Sequence, residues 1–193
     1  MEFLFIRHGH GEHLNDYPNR LNTLHPSLTE YGVFQVAQLR DKVRINPDDL
    51  MLVSPTKRTI ETALILHNSL DFIISPFVGP RMFPQNQESL FLSCDQILSK
   101  TEITNLYGDV KILDFNLDCW KEGINRIDQE VFEGYAKQLL NWIPESYKRV
   151  LIISHDGTIT NYRILLGEKG LTRDDFLGEA GVYRMKINGS TVK

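Results

Sequence analysis

Four short runs built wholly of apolar residues, set apart by stretches of helical period, constrain this chain more than any other feature. Phe3-Leu4-Phe5-Ile6, Leu50-Met51-Leu52-Val53, Phe72-Ile73-Ile74 and Val150-Leu151-Ile152-Ile153 each stop at a polar or turn-forming cluster. Runs this short, with no polar residue alternating in them, read as strands buried on both faces. Helical patterns lie between them. Ser27 with Glu30 fits a capping box, and Val33, Val36, Ala37 and Val43 keep one face apolar. Ile60, Ala63, Leu64 and His67 hold helical spacing. Ile127, Val131, Tyr135 and Leu139 recur every fourth residue up to Pro144, and Ile159, Tyr162 and Leu166 form a shorter series closed by Gly167. Strands alternating with helices predict βαβ units. The fold class is therefore α/β, a three-layer αβα sandwich around a mainly parallel sheet. Val182 to Ile187 alternates apolar with polar residues, which suits an edge strand near the C-terminus.

Residues 77–126 break the alternation. They hold scattered aromatics and weak periodicity behind Pro76, Pro80 and Pro84. A segment of this length without clear elements reads as a cap or insertion after the third strand. The chain has 193 residues, which suits one domain spanning 1–193 with the cap inside it.

The net charge is −4, so bulk basicity points to neither nucleic acid nor an acidic membrane, and any anion site must be local. The two cysteines, Cys94 and Cys119, are too few for a disulfide framework and suit reduced thiols. Phe3 to Ile6 is too short for the core of an export signal and runs straight into Arg7 and His8. No apolar run approaches the roughly 18 residues of a membrane span. These features predict a cytoplasmic protein. Neither a Walker loop nor a complete Gly-x-Gly-x-x-Gly occurs, so no nucleotide cofactor is expected.

Three polar clusters follow three of the apolar runs: Arg7-His8-Gly9, Ser54-Pro55-Thr56-Lys57-Arg58 and Ser154-His155-Asp156-Gly157. Ligands of open α/β sheets bind beyond the carboxyl ends of the strands. Parallel strands would gather the clusters on one rim, with two arginines, two histidines and a carboxylate. Arginine suits phosphoryl oxygens, because its planar fork pairs with them and keeps its charge. A histidine amid fixed positive charge favours its neutral form, whose free nitrogen can attack phosphorus. A second histidine, supported by a carboxylate such as Asp156, could stay protonated and bind the same oxygens. A carboxylic acid must then protonate the leaving alcohol. His8, His10 and His13 also spell a His-x-His-x-x-His cluster that could ligate a metal, although the chain is short for the barrels that begin that way. No metal is expected.

The four blocks Arg7-His8-Gly9, Pro26-x-Leu-Thr-x-x-Gly-x-x-Gln35, Ser54-Pro-x-x-Arg-x-x-x-Thr-Ala63 and Ser154-His155-Asp156-Gly157 occur in that order. Together they resemble the histidine phosphatase superfamily, the phosphoglycerate mutase-like phosphatases. The resemblance implies that His8 is the nucleophile and forms a phosphohistidine, and that Arg7, Arg58 and His155 hold the phosphoryl oxygens. It implies Asn15 as an additional polar phosphate contact, one residue later than usual. That extra residue leaves open which of His13, Leu14 and Asn15 faces the site. For the proton donor the resemblance implies Glu88, placed six residues before Cys94-Asp95, with Asp156 as the alternative used by the family's other branch. The expected function is hydrolysis of a small phosphomonoester without a cofactor. A phosphoglycerate-type mutase and a non-catalytic phosphate- or phosphopeptide-binding module are the alternatives.

Overall fold

The computed structural model describes residues 1–86 and 88–187. Its strands are β1 (Glu2–Arg7), β2 (Leu50–Val53), β3 (Ile73–Ile74), β4 (Lys111–Ile112), β5 (Arg149–Ser154) and β6 (Val182–Lys186). Its α-helices are α1 (Glu30–Arg40), α2 (Lys57–His67), α3 (Lys100–Tyr107), α4 (Gln129–Trp142) and α5 (Asp156–Leu165). The strands form one sheet in the order β4-β3-β2-β5-β1-β6. All neighbours are parallel except β1 with β6, so the alternating C-terminal strand lies antiparallel at an edge as its pattern predicts.

Side chains of the central strands alternate between two cores. Phe3, Phe5, Leu52, Val150 and Ile152 pack with Phe132, Leu139, Ile159 and Tyr162 on the face covered by α4 and α5. Leu4, Ile6, Met51, Val53, Leu151 and Ile153 pack with Val36, Leu39, Ile60 and Ala63 on the face covered by α1 and α2. Burial on both faces is why these strands carry no polar positions.

Several details differ from the sequence expectation. The cap segment is not all cap: it supplies α3 and the edge strand β4, whose two residues pair with β3. Ser27 and Glu30 form no capping box. Thr29 caps α1 instead, its side chain accepting from the Gly32 N–H at 3.0 Å, while Ser27 N–H donates to Glu12. Val33 and Val131 are exposed. The buried face of α4 runs through Phe132, Ala136, Leu139 and Leu140, one step round from the fourfold series.

The loop after β1 lies directly on the start of α1. Thr29 N–H donates to His10 O at 2.9 Å, and a Cβ on Gly32 would stand 2.1 Å from that same oxygen. Only glycine lets the backbones approach so closely. Gly32→Ala must therefore push the loop that carries His8 away from the helix. We expect it to lower unfolding free energy by about 1–3 kcal/mol in urea titrations; a variant as stable as the parent would contradict the close approach.

Candidate active site

The register of the sheet brings the polar clusters to one rim. Arg7 pairs with Ser154, Val53 pairs with Ile153, and the chain then leaves β1, β2 and β5 at one level. His8 N–H donates to Ser154 O at 3.2 Å and Ser54 N–H to Ile153 O at 3.0 Å, extending the ladder by one residue on each side. Two helices begin here. Thr56 and His155 are the N-caps of α2 and α5, and neither side chain caps its helix. Both helix dipoles thus present their positive ends to the rim.

Arg58 ties the site together. It is buried, and each arm of its guanidinium has a partner. Nε donates to His8 Nε2 at 3.1 Å, Nη1 to Cys94 O at 2.6 Å, and Nη2 lies 3.2 Å from His155 Nδ1 and 3.4 Å from Asp95 Oδ1. The His8 and His155 rings stand 5.1 Å apart, centroid to centroid. His8 Nδ1 is 2.7 Å from Gly9 O, so that nitrogen carries the proton and Nε2 keeps its lone pair. His155 Nδ1 accepts from Arg58, which puts its proton on Nε2 for donation to Ser54 Oγ at 2.8 Å.

Arg7 completes the cationic wall. Nη1 donates to Leu177 O at 2.6 Å, and Nη2 lies 3.1 Å from Asp156 Oδ2 and 3.4 Å from Glu179 Oε1. Its Nε is buried without a hydrogen-bond partner. Asp156 also accepts from Gly157 N–H at 2.6 Å. It is therefore bound to Arg7 and to its own helix start, while the two His155 nitrogens face Arg58 and Ser54, so the arrangement expected to keep His155 protonated is not formed. Burial first, then Arg58, holds both His8 and His155 well below the ordinary imidazole range.

Sequence reading left open which residue of the β1 loop faces the site. It is His13, whose ring lies 5.9 Å from that of His8. It is buried, its Nδ1 has no partner, and burial with the charge of Arg58 lowers its pKa to about 3. Asn15 is exposed beyond the turn formed by Glu12–Leu14. His10 points elsewhere, with Nδ1 3.0 Å from Thr29 Oγ1, so the His-x-His-x-x-His triplet does not converge. Glu88 is exposed in a turn, where its N–H donates to Asn86 Oδ1 at 3.0 Å. Asp95, seven residues after Glu88, is the carboxylate that reaches Arg58.

The cap is fixed above the rim by hydrogen bonds to buried side chains. Ser154 Oγ donates to Val78 O, Thr158 Oγ1 to Gly79 O and Tyr162 OH to Phe77 O, all at 2.6 to 2.9 Å. Asn125 accepts from Met82 N–H at 2.8 Å and donates to Asp95 Oδ2 at 3.3 Å. Arg81 is structural: it donates to Ile124 O, Ile127 O and Gln129 Oε1 and stacks on Phe132. Lys100 pairs with Asp114 over the Trp120 ring, and Lys111 pairs with Asp71.

Comparison with known proteins places this geometry. Residues 3–82 match the family model of the histidine phosphatase superfamily, branch 1. No curated protein matches the chain in sequence. The fold is similar to that of the ecdysone phosphate phosphatase from Bombix mori, solved with tungstate, at a TM-score of 0.68 and 12% identity over 96% of this chain and 88% of that one. It is similar to the alpha-ribazole phosphatase from Shigella flexneri at a TM-score of 0.61 and 19% identity, covering 100% and 95%. It is also similar to a mutant phosphoserine phosphatase from Entamoeba histolytica, solved with phosphoserine, at a TM-score of 0.61 and 16% identity, covering 98% and 92%. At these identities the likeness establishes the fold. The family match ends at Met82, ahead of Glu88 and Asp95.

The buried histidines set a pH dependence of stability. His8, His13 and His155 all have folded pKa values below that of the unfolded chain, which is about 6.5. Below that pH the unfolded chain binds protons that the folded chain refuses, so stability falls as pH drops. We expect urea midpoints to fall from pH 7 to pH 5, and His13→Asn to remove about one proton from the linked uptake. A flat profile, or an uptake unchanged in the variant, would contradict neutral buried imidazoles.

Proposed function

We propose that this chain is a histidine phosphatase that hydrolyses a small phosphomonoester in two displacements, with His8 as the nucleophile. One observation carries the reading: His8 Nε2 is a lone pair, fixed by the Nδ1 contact to Gly9 O, and lies within 3.1 Å of a buried guanidinium. A phosphoryl group that takes the N–H groups of Arg58 frees that lone pair and lies against it. Attack from a fixed, dry position removes most of the orientational cost of the reaction.

The remaining residues are donors to the phosphoryl oxygens. The buried Nε of Arg7 lacks a partner, and a phosphoryl oxygen supplies one. His13, rather than Asn15, takes the role of the additional polar contact, since its buried Nδ1 also lacks a partner. An arriving dianion opposes the burial and the Arg58 charge that keep His13 and His155 neutral. Proton uptake then makes both imidazoles donors to the anion. Asp156 restrains Arg7 through its 3.1 Å contact and so orients the guanidinium. Arg7 and Arg58 supply the charge neutralisation that metal phosphatases draw from paired cations, so a chelator should leave activity intact.

The test is phosphate release from a panel of phosphate esters, run with and without chelator, on the parent and His8→Ala. The parent should form an acid-labile, base-stable phosphoenzyme. His8→Ala should form none and lose about 10³-fold or more of its turnover. Turnover in His8→Ala above a few per cent of the parent would remove His8 from the role. Transfer between phosphoglycerates, faster than hydrolysis, would favour a mutase.

A further inference from the structure

Protonation of the leaving group requires a carboxylic acid beside the phosphoryl pocket, and four carboxylates stand as candidates: Glu88, Asp156, Glu179 and Asp95. Glu179 pairs with Arg7 at 3.4 Å. Glu88 is exposed, and its backbone N–H donates to Asn86 within its own turn. Asp156 has both oxygens engaged, one 3.1 Å from Arg7 Nη2 and the other accepting Gly157 N–H at 2.6 Å. Asp95 also has both oxygens engaged, but its partner is Arg58, the residue that touches both His8 and His155. Its Oδ1 lies 3.4 Å from Arg58 Nη2, the same nitrogen that contacts His155, so it borders the pocket. Its Oδ2 accepts from Asn125 Nδ2 at 3.3 Å, which fixes the plane of the carboxyl group. The side chain is 27% exposed, so the carboxyl is neither sealed in the core nor free in bulk water.

Resting on the phosphatase reading above, we propose that Asp95 is the general acid of the first displacement and the general base of the second. His8 Nε2 forms the bond to phosphorus as the P–O ester bond breaks, and the departing oxygen takes its electron pair and the proton of the Asp95 carboxyl. The alcohol leaves, and Asp95 is a carboxylate. Water then attacks phosphorus while Asp95 takes one of its protons. The P–N bond breaks, its pair returns to His8 Nε2, and phosphate leaves with Asp95 protonated again. Protons, charge and phosphoryl oxygens all balance over the cycle.

The surroundings of Asp95 suit both halves. Burial is the largest influence and raises its pKa; Arg58 and the Asn125 amide oppose the rise, and the charge of Asp156 adds to it. Cys94, adjacent in the chain, is itself a thiol pushed up to about 12, so it stays neutral beside the carboxyl. Asp156 is held in its own pair with Arg7, 3.1 Å away.

The experiment compares Asp95→Asn, Glu88→Gln and Asp156→Asn on an alkyl phosphate and on nitrophenyl phosphate. An alkoxide needs the proton and a nitrophenolate scarcely does. In kcat/KM, which reads the first displacement, Asp95→Asn should lose about 10²–10⁴-fold on the alkyl ester and far less on the nitrophenyl ester, from which the phosphoenzyme still forms and then accumulates because its hydrolysis lacks the base. Glu88→Gln should match the parent on both, and Asp156→Asn should lose equally on both. A leaving-group-dependent loss in Glu88→Gln or Asp156→Asn, or an equal loss in Asp95→Asn, overturns the assignment. Absence of any phosphoenzyme in the parent would instead strike the underlying two-step reading. Should Asp95→Asn fail to fold, as judged by melting and vanadate binding, Asp95→Glu carries the test. It should shift the alkaline limb of the alkyl-ester profile and leave the nitrophenyl profile in place; an unmoved limb overturns the assignment.

Discussion

A single buried guanidinium organises this molecule's rim. Arg58 comes from the first turn of α2, yet its contacts reach the β1 loop, the N-cap of α5 and the cap segment. Burying a charge is costly unless hydrogen bonds surround it. Here Cys94 O, Asp95 and two imidazole nitrogens meet that need. The arrangement is incomplete in one respect. Arg58 donates to nitrogens that are better used elsewhere, and Arg7 Nε and His13 Nδ1 have no partner at all. A pocket with unpartnered polar atoms and two arginines suits an oxyanion, and burial first, then Arg58, keeps its histidines neutral.

The fold supplies this pocket through strand register. Parallel pairing of β1, β5 and β2 ends their chains at one level, and the helices that follow start with their positive ends there. The cap is no separate lid. Its first residues are bonded to Ser154, Thr158 and Tyr162, and its later ones supply an edge strand to the sheet. Asn125 joins the two parts, holding Met82 on one side and Asp95 on the other. The position of the carboxyl group therefore depends on residues far from it in sequence.

Much of this was legible in the residues. The apolar runs specified the buried strands, because a strand covered on both faces tolerates no polar position. His8, Arg58 and His155 could be grouped because clusters that follow parallel strands share a rim. The illegible parts have physical causes. β4 has two residues, too few to carry a period, and is a strand only because β3 offers it an edge. Val131 is exposed because a period of four drifts around a helix of 3.6 residues per turn. His13 faces the pocket and Asn15 does not because Glu12–Leu14 form a tight turn whose direction depends on Gly11 and on the α1 contact. Asp95 was visible as a residue but not as a neighbour of Arg58, since that proximity arises from a 3.4 Å contact across 37 positions of chain.

The central claim is that phosphorus is displaced twice, first by His8 and then by water. Each in-line displacement inverts the configuration at phosphorus, so two together restore it. The most direct measurement uses an ester whose phosphoryl group is made chiral with oxygen isotopes and sulfur, and determines the configuration of the product formed in isotopically labelled water. The account predicts net retention. Net inversion would mean that water attacks the ester directly, with the histidines only binding the phosphoryl group, and would contradict it.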